Sequence, residues 1–136
     1  MTKSSPSIKK FMTPSPHTIG RDQTLSFAQR ILREHDIRHL PVLEGGKLVG
    51  VVSERDVALV EALRDVDPTK VEVGEAMSAN VFAVEPGASL DEVAAEMASR
   101  KYGCAVVVDH GKVVGVFTTI DALAALRQLL GAKTAA

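Results

Sequence analysis

Apolar residues set two different periods along this chain. Leu25, Ala28, Ile31 and Leu32 recur at spacings of three, four and seven, one stripe on a 3.6-residue repeat. That stripe predicts a helix ending near Asp36, because Leu40-Pro41-Val42-Leu43 reads as a strand. Glu44-Gly45-Gly46-Lys47 reads as a hairpin turn whose glycines can take positive φ. Leu48 to Val52 is a continuous β-rich run which, taken literally, is buried on both faces. Ser53 ends it and opens a helix to about Leu63. The order then returns: Val81 to Val84 extended, a helix from Ser89 to about Arg100, strands at Cys104 to Val108 and Lys112 to Phe117, and a helix from Thr118 to about Leu130. Ser89 with Glu92 has the capping-box pattern that marks a helix start.

The repetition extends to residue identities. Shifting the chain by 65 positions over Met12 to Val60 pairs Met12 with Met77, Leu25 with Leu90, Val42 with Val107, Gly46 with Gly111 and Lys47 with Lys112. It also pairs Val49 with Val114, Gly50 with Gly115, Val51 with Val116 and Asp56 with Asp121. Roughly three matches are expected by chance over such a window, so the chain reads as an internal duplication. The expected organisation is a flexible arm at residues 1–10, one repeat at 11–64, a linker at 65–72, a second repeat at 73–131 and a tail at 132–136. The expected fold class is mixed α/β (α+β), two β-α-β-β-α repeats about a pseudo-two-fold axis.

Composition narrows the function classes. With 136 residues, 46% hydrophobic and 24% charged, the chain suits a soluble protein with an aliphatic core. A net charge of −1 and a pI near 6.4 provide no general field for a nucleic-acid backbone. The longest apolar stretches fall short of the roughly 18 residues that span a bilayer, and the N-terminus lacks a signal-like apolar region. The expectation is therefore a cytoplasmic protein without membrane or nucleic-acid partners. Cys104 lies in an apolar strand and reads as a packed structural thiol.

In that context the chain resembles a pair of CBS domains, the cystathionine-β-synthase domain family. The residues carrying the resemblance are Met12-Thr13, Thr24-Leu25, Ile37 to Val42 and Gly50 to Asp56 in the first copy. In the second they are Met77-Ser78, Pro86, Ser89-Leu90, Val106 to Val108 and Gly115 to Asp121. The likeness covers about residues 8 to 130, almost the whole chain. It implies a regulatory module whose two clefts bind adenosine derivatives (AMP, ADP, ATP or S-adenosylmethionine), and a homodimer formed through helices.

The repeated Ser/Thr-x-x-Asp has a physical fit to such a ligand. Ser53 and Thr118 place hydroxyls beside unpaired N–H groups at helix starts, where anions are favoured. Asp56 and Asp121, one turn later, can accept both hydroxyls of a ribose. The same spacing is also that of a capping box, and both roles can coexist. The resemblance places Arg38 and His39 where basic groups hold phosphates. Arg55 is a further phosphate candidate because arginine forks are bidentate, with solvated surface charge as the alternative. Copy two has Gly103, Cys104 and Ile120 at these positions, so the two sites are expected to differ. The resemblance further implies that Thr18, Ile19, His39 and Leu40 face Asp121, while Phe82, Ala83 and Ala105 face Asp56. For Ile19, Phe82 and Ala83, core packing is the alternative.

Enzymatic signatures are missing. His35 and His39 are four apart, but the predicted helix ends between them and no metal site is assigned. No nucleophile elbow, phosphate loop, dinucleotide fingerprint or Cys-x-x-Cys is present. The chain is expected to be no enzyme and to need no cofactor. Its expected function is that of a sensor for an adenine nucleotide, acting on an unidentified protein partner. The alternative is a structural dimerisation module with non-functional clefts, suggested by the broad Ala and Leu faces of the helices after Ser53 and Thr118.

Overall fold

The computed structural model describes residues 5–134. A 3-10 turn at Ile8–Lys10 precedes β1 (Thr13–Pro14). The first copy follows as β2 (Ile19–Gly20), α1 (Leu25–Glu34), β3 (His39–Glu44), β4 (Lys47–Ser53) and α2 (Glu54–Glu61). After the single turn α3 (Val73–Ala76), the second copy runs β5 (Ala83–Val84), α4 (Leu90–Arg100), β6 (Cys104–Asp109), β7 (Lys112–Thr118) and α5 (Thr119–Thr134). Mixed α/β character and the β-α-β-β-α order are as the hydrophobic periods predict.

Two compact units form, and they do not coincide with the sequence repeats. One contains residues up to Ser15 together with Phe82–His110 and Val114 onward; the other contains Pro16–Val81 and Gly111–Val113. Each unit thus takes its leading segment from the opposite copy.

In the Pro16–Val81 unit, β2 runs parallel to β3 and β3 antiparallel to β4, with Ile19 opposite Val42 and His39 opposite Ser53. Thr24 caps α1 by accepting a hydrogen bond from the Phe27 N–H at 3.2 Å. The α1 stripe then buries Leu25, Ala28 and Leu32 against Leu40, Val42, Val52, Val57 and Val73. After α1, His35 caps and Asp36 takes a left-handed φ of 50°, which reverses the chain toward β3. β4 is not buried on both faces as the apolar run suggested. Gly50 and Val52 are buried while Leu48, Val49 and Val51 are only partly buried, Val49 still packing against the core. The segment after α2 lies along the start of α1, with the Leu25 N–H donating to the Val71 carbonyl at 2.8 Å.

In the other unit the sheet order is β1-β7-β6-β5, with Thr13 antiparallel to Val116 and Ala83 parallel to Val106. Its core gathers Ile8, Leu90, Val93, Met97, Ala105, Val107, Phe117 and Ala125. Where the first copy pairs Leu40 with Val52, the second has Ala105 with Phe117 at the same offset, all fully buried. The exchange keeps summed volume roughly constant, which cores tolerate. Of the capping box expected at Ser89, only the arm from the Glu92 N–H to Ser89 Oγ is made, at 3.4 Å.

The described part of the N-terminal arm packs against the second copy. Ile8 is fully buried, its N–H donates to the Ala88 carbonyl at 2.8 Å, and the Leu90 N–H donates to the Pro6 carbonyl at 2.9 Å. Residues 1–4 and 135–136, the ends of the expected arm and tail, lie outside the described residues. At the other end, α5 continues to Thr134 rather than stopping near Leu130. Among the described residues no helix is long and apolar enough to cross a membrane.

The β1 pairing has a counterpart. Ser78, 65 positions after Thr13, bridges Val51 in antiparallel fashion, with hydrogen bonds of 2.9 and 3.0 Å. In both places a methionine side chain lies on a strand glycine: Met77 on Gly50 and Met12 on Gly115. A side chain on either glycine would occupy the volume of the sulfur, so the Gly and Met of each copy are linked by contact across the repeats.

Candidate functional site

The loop-to-helix joint of the Pro16–Val81 unit is built by the end of β4. Ser53 stays extended and caps α2, its Oγ accepting from the Asp56 N–H at 3.1 Å. Asp56 Oδ2 in return accepts from the Ser53 N–H at 2.8 Å. Both arms of a capping box are therefore present, and the structural alternative raised for this motif is realised. Among the described residues no hydrogen bond reaches the other carboxylate oxygen, Asp56 Oδ1.

Strand register brings His39 to this joint, opposite Ser53, and the Arg38 carbonyl accepts from the Glu54 N–H at 2.9 Å. His39 Nδ1 is buried without a hydrogen-bond partner among the described residues. Burial holds the imidazole below its ordinary pKa; the Asp56 carboxylate pulls it upward, Arg38 downward and Glu54 upward, but burial prevails. Since the folded pKa lies below the unfolded one, the unfolded chain takes up the proton first as pH falls. Stability is therefore expected to be intact above about pH 6.5 and to decline below it. Denaturant midpoints between pH 7.5 and 5 should show this loss, and His39→Gln should flatten it; an equally steep fall in the variant would disprove the assignment.

The second joint repeats the scheme with an addition. Asp121 Oδ2 accepts from the Thr118 N–H at 2.9 Å and from Thr118 Oγ1 at 3.2 Å. The Asp121 N–H donates to Thr118 Oγ1 at 3.2 Å. The Gly103 carbonyl accepts from the Thr119 N–H at 3.2 Å, as Arg38 does from Glu54. Asp121 Oδ1 also accepts from Thr13 Oγ1 at 3.0 Å. Cys104 stands where the first copy has His39, and burial pushes its thiol up to about 11, in keeping with a packed, unreactive group.

The remaining sequence-predicted residues divide by environment. Ile19, Leu40 and Ala105 are buried in the cores, with 4%, 0% and 0% exposure. Phe82 stacks on Tyr102 at 5.3 Å between ring centroids, and Ala83 is exposed on the short β5. Thr18 is half-exposed beside Ile19, whereas Arg38 and Arg55 are exposed and in no ion pair among the described residues. The resemblance sets His39 opposite Asp121; within its own unit it lies in the field of Asp56. His17 stacks on His35 at 3.7 Å, and no group of three metal-ligating side chains occurs among the described residues. Thr13 escaped sequence reasoning as a site residue. The signal was the recurrence of Met12-Thr13 as Met77-Ser78.

The CBS domain family profile matches residues 8–62 and 73–128. The CBS domain-containing protein YhcV of Bacillus subtilis is 30% identical over 115 residues, covering 85% of this chain and 81% of its own length. A crystal structure assigned to an acetoin utilization protein, AcuB, of Vibrio cholerae superimposes with a TM-score of 0.86 at 32% identity, covering 97% of this chain and 98% of that one. The CBS domain pair of protein MJ0100, solved with methylthioadenosine and S-adenosyl-L-methionine, gives 0.79 at 29% identity, with 93% and 97% covered. CBSX2, solved in complex with AMP, gives 0.79 at 27% identity, with 92% and 98% covered. The chain belongs to the CBS domain family, as a tandem pair of its repeats.

Proposed function

We propose that this chain is a regulatory module that binds an adenosine-containing nucleotide at its Ser/Thr-x-x-Asp joints. The observation that carries the reading is Asp56. One carboxylate oxygen closes the helix cap and the other has no hydrogen bond among the described residues, beside a partly buried imidazole and the exposed Arg38 and Arg55. That set offers acceptors for a ribose diol and cations for phosphates. The adenosine ligands of MJ0100 and CBSX2 support the chemical class. A nucleotide bound this way acts by preferring one arrangement of the protein over another, which a partner then reads.

Self-association belongs to the same proposal. Ile120, Leu123, Leu126 and Leu129 of α5 are 43–61% exposed, an apolar surface of the kind two copies of a chain bury against each other. The module is proposed to work as a homodimer in the cytoplasm. If it were only a dimerisation element, nucleotides would leave it unchanged.

Melting with AMP, ADP, ATP, NADH and S-adenosylmethionine separates the two readings. A ligand at a hundred times its Kd stabilises the folded state by about 2.7 kcal/mol, or about 9 °C in a chain of this length. At least one adenosine compound is expected to raise Tm, with the rise reduced in Asp56→Ala. A flat panel would overturn the nucleotide reading and leave the dimerisation module.

A further inference from the structure

The two aspartates are spent differently. A carboxylate has about four acceptor positions, and gripping a ribose diol takes two of them. Asp56 commits one, to the Ser53 N–H. Asp121 commits three: two on Oδ2 to Thr118 and one on Oδ1 to Thr13. The Thr118 N–H bond belongs to the helix cap and is matched at Ser53, and the Thr118 hydroxyl bond stays within the same cap on Oδ2, whereas the Thr13 bond is the one that closes Oδ1, the oxygen left open on Asp56. Ser78, which corresponds to Thr13, makes the same backbone bridge but no hydrogen bond to Asp56 among the described residues.

We infer that Thr13 is a specificity-determining residue that occupies the Asp121 carboxylate and makes the two joints unequal, the Asp56 joint being the one that takes a nucleoside first. This rests on the nucleotide reading above. A ribose arriving at Asp121 must displace the Thr13 hydroxyl, so affinity there is lowered by the strength of one hydrogen bond to a charged acceptor. For an exposed bond that is about five- to tenfold. β1, which carries Thr13, is two residues long and exposed, so the hydroxyl can turn away without unseating the core residue Ile8.

Titration calorimetry with AMP, and in a second series with S-adenosylmethionine, tests this. The wild-type chain is expected to show one tighter site, which Asp56→Ala removes and Asp121→Ala leaves. In the Asp56→Ala background, Thr13→Val, nearly isosteric and lacking the donor, is expected to tighten the remaining site about five- to tenfold. Thr13→Ser, which retains the hydroxyl, should leave that affinity unchanged. A tight site that survives Asp56→Ala and disappears in Asp121→Ala would overturn the inference while keeping the nucleotide reading. So would a Thr13→Val chain, shown folded by its melting transition, that binds no better or binds worse. No binding of either compound to the wild-type chain would remove both.

Discussion

Gly50→Ala is expected to cost about 3 kcal/mol of folding stability, the upper part of the range for overpacking a filled site. A β-carbon there would lie 2.8 Å from the Ser78 carbonyl oxygen and 2.5 Å from the Met77 sulfur. The sulfur can swing aside because methionine is unbranched and adaptable. The carbonyl cannot, since it accepts the Val51 N–H at 3.0 Å and fixes the bridge between the copies' segments. Gly115→Ala is the informative comparison, because there the nearest atoms all belong to the Met12 side chain. It should cost about 1 kcal/mol, and chemical denaturation of both variants measures the gap. Equal losses would show that the carbonyl contact does not decide the penalty.

Ile8→Ala is expected to be at least as damaging, at about 3–4 kcal/mol, the range for truncating a fully buried aliphatic side chain. Ile8 has no exposed surface and packs in the core with Val93, Met97, Phe117 and Ala125. Its segment is held on both sides, the Lys9 N–H donating to the Pro86 carbonyl at 3.1 Å and the Asp91 N–H to Ser5 Oγ at 3.0 Å. Cavity formation without collapse is therefore the outcome. A urea midpoint in which the variant differs from the parent by under about 0.5 kcal/mol, as a truly loose arm would give, contradicts this account.

These two sites mark where legibility in the sequence ends. Helices and strands declare themselves through local periods: the α1 stripe of Leu25, Ala28 and Leu32 is buried as its spacing requires. The hairpin turns also follow from local chemistry, Gly45 and Gly46 taking φ of 58° and 82°, and His110 and Gly111 taking 51° and 78°. Ile8 stands alone among serines and lysines, so no period announces that a core 80 residues away will bury it. Thr13 and Asp121 are separated by 108 positions, and nothing in either neighbourhood specifies a bond between them. The Ser53-to-Asp56 spacing was readable as two chemistries at once. Its geometry resolves the capping role, while the open Oδ1 is a property of the folded surroundings that spacing does not encode. The paired recurrence of Met and Gly did carry long-range information, because a residue that must be small and one that fills the gap recur together.

The exchange of leading segments changes what the word repeat means for this chain. A break in residues 65–72 would leave two fragments, and neither would hold a whole compact unit, since residues 5–15 complete the later copy and residues 73–81 complete the earlier one. A gene encoding a single copy would make a polypeptide whose strand glycine has no methionine to cover it and whose first segment has no sheet to join. Such a polypeptide is satisfied by a second molecule of itself. The duplication can thus be understood as two reciprocally clasped subunits written into one reading frame, where a partner once met by diffusion is supplied by covalent attachment and the two halves became free to diverge, as Ser78 and Thr13 have.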